Sequence, residues 1–393
     1  MKRKQIVILL VLVAIIGGIG FFLQKRSRSE WSQSSASAAK FLDFPINDVA
    51  SVVIRGANGH VNITKKKDLW IVEERTDYPA NFERASKLIR QLWELHPVQE
   101  LNVGRSQFSR LELVEPGPPQ DKSAMANQGD KSGTVVELKD KDGKTLAKLI
   151  AGKQDVRKGE GPRQFPMPMG RYVLAPQTGR VALVSHTIDV DAKPESWLKP
   201  DFIKITDPES IALQDQSVAR HWTLTRSDAK ADWKLADAKA SEELNKPVVS
   251  SFASMLSALR FTDVLPPDAN PAEHGLDKPE VLTIRTFDRF AYTLKIGKVA
   301  GSNYAVAVSV TADPVTQRTA SPDEKPEDKA KLDEEFKTRL KQLEEKAVSE
   351  REFEKRIYLV PKYNLDILLK DRTDLLAKPT PSPMPSATPL RKR

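Results

Sequence analysis

Trp70 and Trp233 each stand 46 residues before the proline that closes a leucine-containing turn, Leu113-Val114-Glu115-Pro116 in one case and Gly275-Leu276-Asp277-Lys278-Pro279 in the other. Between each tryptophan and its proline lies one short apolar helix pattern. Beyond each proline, strand-like segments run to Gly152-Lys153 or Gly297-Lys298. Order and spacing recur together, which marks one structural unit used twice. An offset of 163 carries Trp70 to Trp233, Ile89 to Phe252, Leu92 to Met255, Trp93 to Leu256, Leu101 to Val264 and Pro116 to Pro279, apolar onto apolar throughout. A chain of 393 residues is long enough for two separate cores.

Each unit reads as strands around one helix. In the first, alternating apolar residues from Val49 to Ile54 and Val61 to Ile63 flank Ala57-Asn58-Gly59, a hairpin signal, and Leu69 to Val72 supply a third strand. Phe82, Ala85, Ile89, Leu92 and Trp93 recur at helical spacing up to Leu95, where His96-Pro97 stops the helix. Thr134 to Leu138 and Leu146 to Ile150 form a second hairpin around Lys141-Asp142-Gly143, followed by Tyr172 to Leu174 and Val181 to Val184. The second unit repeats the plan with Ile203 to Ile205, Ser210 to Leu213, Trp222 to Thr225 and Trp233 to Leu235, then a helix opened by Pro247. Strands at Val281 to Thr286, Tyr292 to Ile296, Tyr304 to Val310 and Ile357 to Val360 complete it.

The expected fold is therefore α+β: two tandem repeats of a mainly antiparallel sheet with one packed helix each, residues 44–200 and 201–376, after an N-terminal transmembrane helix. Each repeat carries an insertion. Gly117 to Gly133 is a loop by composition, and 327–356 reads as a charged helix with Leu332, Phe336, Leu340, Leu343 and Ala347 along one side. That helix would be about 45 Å long at 1.5 Å per residue. It is expected to lie solvated on its own domain, the alternative being a seat for a partner helix.

The ends differ from the body. Ile6 to Leu23 is a run of 18 residues without a polar side chain, near the length that spans a bilayer core. Its length, and the absence of a small-residue cleavage site directly after it, favour an uncleaved anchor over a cleaved signal. Residues 1–28 are thus the expected signal anchor, 29–43 a Ser/Ala-rich stalk, and 377–393 a Pro-rich disordered tail. Three basic residues flank the segment on each side, so charge does not orient it. A short N-terminus before a large body is the layout of an anchor whose body is exported, with residues 29–393 outside the cytoplasm.

The net charge of +9 resides at the termini. Six basic residues in 1–28 and four in 378–393, with no acid among them, leave minus one for everything between. A near-neutral body lacks the broad field that drives phosphate binding, so no nucleic-acid partner is expected. With no cysteine in the sequence, thiolate chemistry is excluded. Gly143-Lys144-Thr145 lacks the glycine five residues earlier that a phosphate-binding loop needs, since position 138 is Leu138. His60, His96, His186, His221 and His274 are scattered singly, without metal-ligand spacing. The adjacent pairs Glu73-Glu74 and Glu242-Glu243 would point to opposite faces of a strand. No catalytic, cofactor-binding or metal residue and no cofactor is expected, although a buried ionisable cluster on a novel site stays open. Trp70 and Trp233 could be stacking platforms or core, and their placement before apolar helices favours core.

The anchor, the strands with their tryptophan, the Tyr78-Pro79 step, the helix, Gly275-Leu276-Asp277-Lys278-Pro279, Leu294-Lys295-Ile296-Gly297-Lys298 and the Tyr304 strand together resemble the bacterial family catalogued as domain of unknown function 4340. The second repeat matches better than the first. The resemblance implies a membrane-anchored envelope protein of the kind encoded beside ATP-binding-cassette transporters linked to gliding motility, and it carries over no catalytic residues. The leading expectation is a non-enzymatic accessory or scaffold of a membrane complex, with such a transporter as its partner and residues 6–23 in the membrane. The alternatives are a binding module for an envelope polymer or small ligand in the cleft between repeats, and an enzyme with a novel site.

Overall fold

The computed structural model describes residues 40–117, 132–157, 167–185, 188–215, 220–320 and 324–377. The expected anchor, nearly all of the stalk, most of the 117–133 loop and the tail beyond Ala377 lie outside them. Among the described residues no helix is long and apolar enough to cross a membrane. The described residues fall into two compact units, the first within Met1–Glu74 and Pro79–Trp197, the second within Arg75–Tyr78 and Leu198–Arg393.

The first sheet is built from β1 (Ser51–Gly56), β2 (Gly59–Lys66), β3 (Leu69–Val72), β4 (Tyr78–Pro79), β5 (Gln99–Leu101), β6 (Thr134–Lys139), β7 (Thr145–Arg157), β8 (Met167–Ala175) and β9 (Arg180–Val184), with helix α1 (Phe82–Trp93) between β4 and β5. Its order is β4-β3-β2-β1-β6-β7-β8-β9-β5. The second contains β10 (Pro208–Gln214), β11 (Trp222–Thr225), β12 (Lys234–Leu235), β13 (Asp263–Val264), β14 (Glu280–Thr286), β15 (Phe290–Ala300), β16 (Asn303–Ala312) and β17 (Ile357–Pro361), with α2 (Lys246–Ser257) before β13 and α3 (Pro326–Arg351) before β17. Its order is β12-β11-β10-β14-β15-β16-β17-β13. Strand for strand this is the first order without β4. The two units are mainly β, with few helices, and share one topology.

Alternation builds each core. Val52 and Ile54 oppose Ile63 and Val61 across β1 and β2, and Ile211 and Leu213 oppose Leu224 and Trp222 across β10 and β11, all of them buried. Period-2 patterning thus places one face of each hairpin inward. Ile203 to Ile205 forms no strand. Ile203 and Ile205 are buried, but the Ile205 amide donates to the Leu256 carbonyl at 3.3 Å, so the end of α2 satisfies it in place of a strand ladder.

Strand pairing also corrects the repeat offset. Val72 faces Ile63 as Leu235 faces Leu224, which keeps Trp70 and Trp233 equivalent at 163. The helices are shifted by one further residue. α1 buries Ala85, Leu88, Ile89 and Leu92, whereas α2 buries Val249, Phe252 and Leu256. Leu88 therefore corresponds to Phe252 and Leu92 to Leu256, not Ile89 and Trp93 as the single offset implied. One extra residue in the 236–245 connection accounts for the change. α1 is capped by Asn81, whose side chain accepts from the Arg84 amide at 3.1 Å, and α2 carries Pro247 in its first turn.

The turn that ends each helix-to-strand connection packs against a glycine in the next hairpin. Gly275 adopts a left-handed φ of 74°, and its counterpart Glu112 does the same at 55°. A Cβ on Gly297 would collide with the His274 carbonyl oxygen, and one on Gly152 with the Leu111 carbonyl oxygen. In the second unit the Lys298 amide then donates to that His274 carbonyl at 2.8 Å. The motif residues are thus a close approach of two backbones.

The insertions divide the units. β8 and β9 are joined by residues 176–179, whereas β16 and β17 enclose 313–356. Within that span α3 covers 26 residues, about 39 Å at 1.5 Å each, and a short 3-10 turn, Glu352–Lys355, follows. Only Ala347 and Glu350 of α3 are buried; Phe336, Leu340 and Leu343 are half-buried and Leu332 is exposed. The helix rests on its own unit by its C-terminal end.

Candidate functional site

The segment after β11 reads Arg226-Ser227-Asp228-Ala229-Lys230-Ala231-Asp232-Trp233, too polar and too alanine-rich for a strand core. It folds as a turn: Asp228 accepts from the Lys230 amide at 2.9 Å, and that hydrogen bond, followed by one from Ser227, holds the Asp228 carboxyl below its ordinary range. The turn, the 236–245 connection and one side of α2 border a half-open cavity of about 850 Å³. Ser250 and Ala253 of α2 border it on one side, and Trp233, Lys230 and Lys234 are among the residues on the other.

Trp233 is half-buried and forms part of this wall, not of the core. Its ring lies under the Arg226 guanidinium, 4.7 Å from its centroid. Arg226 is fixed in turn by donating from Nε to the Pro208 carbonyl and from Nη1 to the Ala229 carbonyl, both at 2.6 Å. Burial lowers its pKa, against the pull of Asp207 and Asp228. Trp70, the equivalent residue, is also half-buried. The expectation that both belong to the core is therefore wrong, because each sits near the end of a short strand. The core tryptophans are Trp197, fully buried with its indole N–H donating to the Asp191 carbonyl at 2.7 Å, and Trp222, 2% exposed and bonded to the Lys370 carbonyl at 2.9 Å.

Charged pairs fix the rim. Lys246 meets Asp232 at 2.7 Å, an exposed bridge from α2 to the turn. Glu242 accepts from Arg372 at 2.8 Å, and that bond, then the Lys239 amide, holds its carboxyl down at about 2. Lys230 and Lys234 make no ion pair among the described residues. Basic and acidic side chains both border the cavity, which gives it no strong sign.

Elsewhere the charged residues close on each other. Arg220 reaches Glu280 at 2.9 Å, Asp215 at 3.0 Å and Asp371 at 2.6 Å while donating to the Leu369 carbonyl. Glu350 accepts the Tyr292 hydroxyl at 2.5 Å and the Lys204 amide at 3.2 Å, with Lys346 at 3.9 Å. Arg318 binds Glu324 and Asp333.

The residues weighed for chemistry do not converge. His60 lies 3.6 Å from Glu74, His96 meets the Glu94 carbonyl and His221 the Asp215 carbonyl, while His274 is part of the backbone contact above. His186 lies outside the described residues. No group of histidines and carboxylates that could hold a metal occurs among the described residues. Glu73-Glu74 and Glu242-Glu243 sit on a 3-10 turn and a connection, not on strands, yet they too serve separate partners: Glu74 accepts from the Asn62 amide at 2.9 Å. Gly143 and Lys144 lie in the β6–β7 turn and Thr145 opens β7; within the turn Asp140 accepts from the Asp142 and Lys144 amides at 2.9 Å. Sequence reasoning missed the cavity because its walls come from a turn, a connection and a helix with no common period; the exposed run of alanines and lysines around Trp233 was the available signal.

The family model described as Domain of unknown function (DUF4340) matches residues 70–279, more than half of the chain. That span begins at Trp70 and ends at the proline of the second turn. No curated protein and no solved structure matches.

Proposed function

The chain belongs to the DUF4340 family, and from that premise we propose a non-enzymatic envelope protein that serves as an accessory or scaffold of a membrane complex. Residues 6–23 hold it in the inner membrane, the body faces the periplasm, and a transporter of the ATP-binding-cassette type is the partner to seek first. The observation that carries this reading is the self-closure of the ionic clusters: Arg220, Glu350, Arg318 and Arg372 each bind groups of their own unit. Charge used in this way stabilises a framework. The apolar run at Ile6 to Leu23 supports the anchor.

The test is capture of the full-length chain in intact cells by a photo-crosslinker placed on the exposed side of α3, at Lys341, followed by mild extraction. Recovery of an integral membrane complex supports the proposal. Recovery of the uncrosslinked chain alone, from membranes extracted without loss of known complexes, overturns it. Protease added to spheroplasts is expected to cut the body; protection would overturn the periplasmic placement.

A further inference from the structure

We infer that the cavity beside Trp233 is a binding site for a neutral carbohydrate chain. The two units supply an internal comparison. On α1 the residue equivalent to Ala253 is Ile89, which is buried, while Leu88 and Leu92 match the buried Phe252 and Leu256. Of the two buried α1 positions whose α2 counterparts border the cavity, Ala85 corresponds to the larger Val249 and Ile89 to the smaller Ala253. At Ala253 alone the second unit carries a methyl group where the first has a β-branched side chain, and it keeps the tryptophan.

The size, about 850 Å³, falls within the usual range for ligand pockets, roughly 300–1,000 Å³. The chemistry of the walls narrows the ligand class. Charged side chains of both signs make a poor lining for an acyl chain, because their desolvation would find no compensating hydrogen bonds. The near balance of sign gives a polyanion little attraction. A sugar ring satisfies both conditions: its C–H face packs against an indole, and its hydroxyls donate to carboxylates and accept from ammonium groups. Trp233 supplies the aromatic surface, held in place by Arg226; Lys230 and Lys234 supply donors; Glu243 supplies an acceptor. The Lys246–Asp232 bridge is exposed, so water can replace either partner when a ligand enters.

This inference does not depend on the scaffold proposal, since it concerns one unit alone and its test needs no protein partner. The full-length chain, held in a zwitterionic detergent free of sugar, is titrated calorimetrically with maltotetraose and with tetra-N-acetylchitotetraose. Saturable binding of at least one is expected. Trp233→Ala should weaken it by about tenfold or more. Ala253→Ile, which restores the first unit's residue, should weaken it similarly without lowering the melting temperature. Absence of saturable binding by both oligosaccharides overturns the inference, as does binding that survives Ala253→Ile. Tighter binding of polyphosphate or an acidic peptide at the same site would replace the proposed ligand class and also overturn it.

Discussion

At Gly297 the absence of a side chain is required by what lies against it. The His274 carbonyl occupies the space a Cβ would take, and Lys298 bonds to the same oxygen at 2.8 Å. Gly297→Ala must therefore displace the turn or break that bond, at a cost of about 1–3 kcal/mol, measurable by urea unfolding. An unchanged midpoint would mean the turn yields freely. The tryptophans give a second contrast. Trp222→Ala removes a buried ring packed 5.7 Å from Phe252 and should cost about 3–5 kcal/mol. Trp233→Ala, at a half-exposed position, should leave thermal melting much closer to the parent. Equal losses would restore Trp233 to the core. The sequence identified both tryptophans as equivalent but could not assign their burial, because alternation gives the face of a residue, not its distance from the end of a short strand.

Among the elements, α3 shows most clearly what a pattern can and cannot reveal. Its existence and its approximate ends are legible from charge and spacing, yet only its last turns are buried, and the residue that anchors it is an acid. Burial raises the Glu350 carboxyl above its ordinary 4.5, against the Tyr292 hydrogen bond, Lys346 and the Lys204 amide, which lower it. A carboxyl raised in the folded state contributes stability that is complete below its unfolded pKa and is lost as pH rises through the folded value. Glu350→Gln cannot titrate. Its stability relative to the parent should therefore improve between about pH 4 and about pH 8, read by urea unfolding at each. A difference that stays constant or moves the other way would remove Glu350 from this role. Tyr292 explains why an acid is there: its hydroxyl, on a fully buried ring, needs an acceptor. In the first unit the equivalent position on β7 is Ala147, which has no hydroxyl to satisfy, and no helix is inserted there. Such a pairing across 58 residues leaves no local trace in the sequence.

For the whole molecule, the repeat was legible because strand order follows from the order of apolar segments, and both units use the same order. The one-residue shift between the helices was not, since a single offset absorbs it without breaking the apolar match. The shift lies in the 236–245 connection, which is also where the cavity lies. Divergence between the copies thus falls in connections while the ladders persist, as expected when sheets carry stability and loops carry what distinguishes one unit from the other. The two β-hairpins at equivalent places make the difference quantitative. Joining β8 to β9 closes a loop of 4 residues, and joining β16 to β17 closes one of 44. On loop-closure entropy alone the second costs about 2 kcal/mol more. That penalty falls on the pairing of β17 with β16: β8 and β9 meet across a tight turn, while β17 can join its sheet early only if α3 forms first and shortens the path back to it.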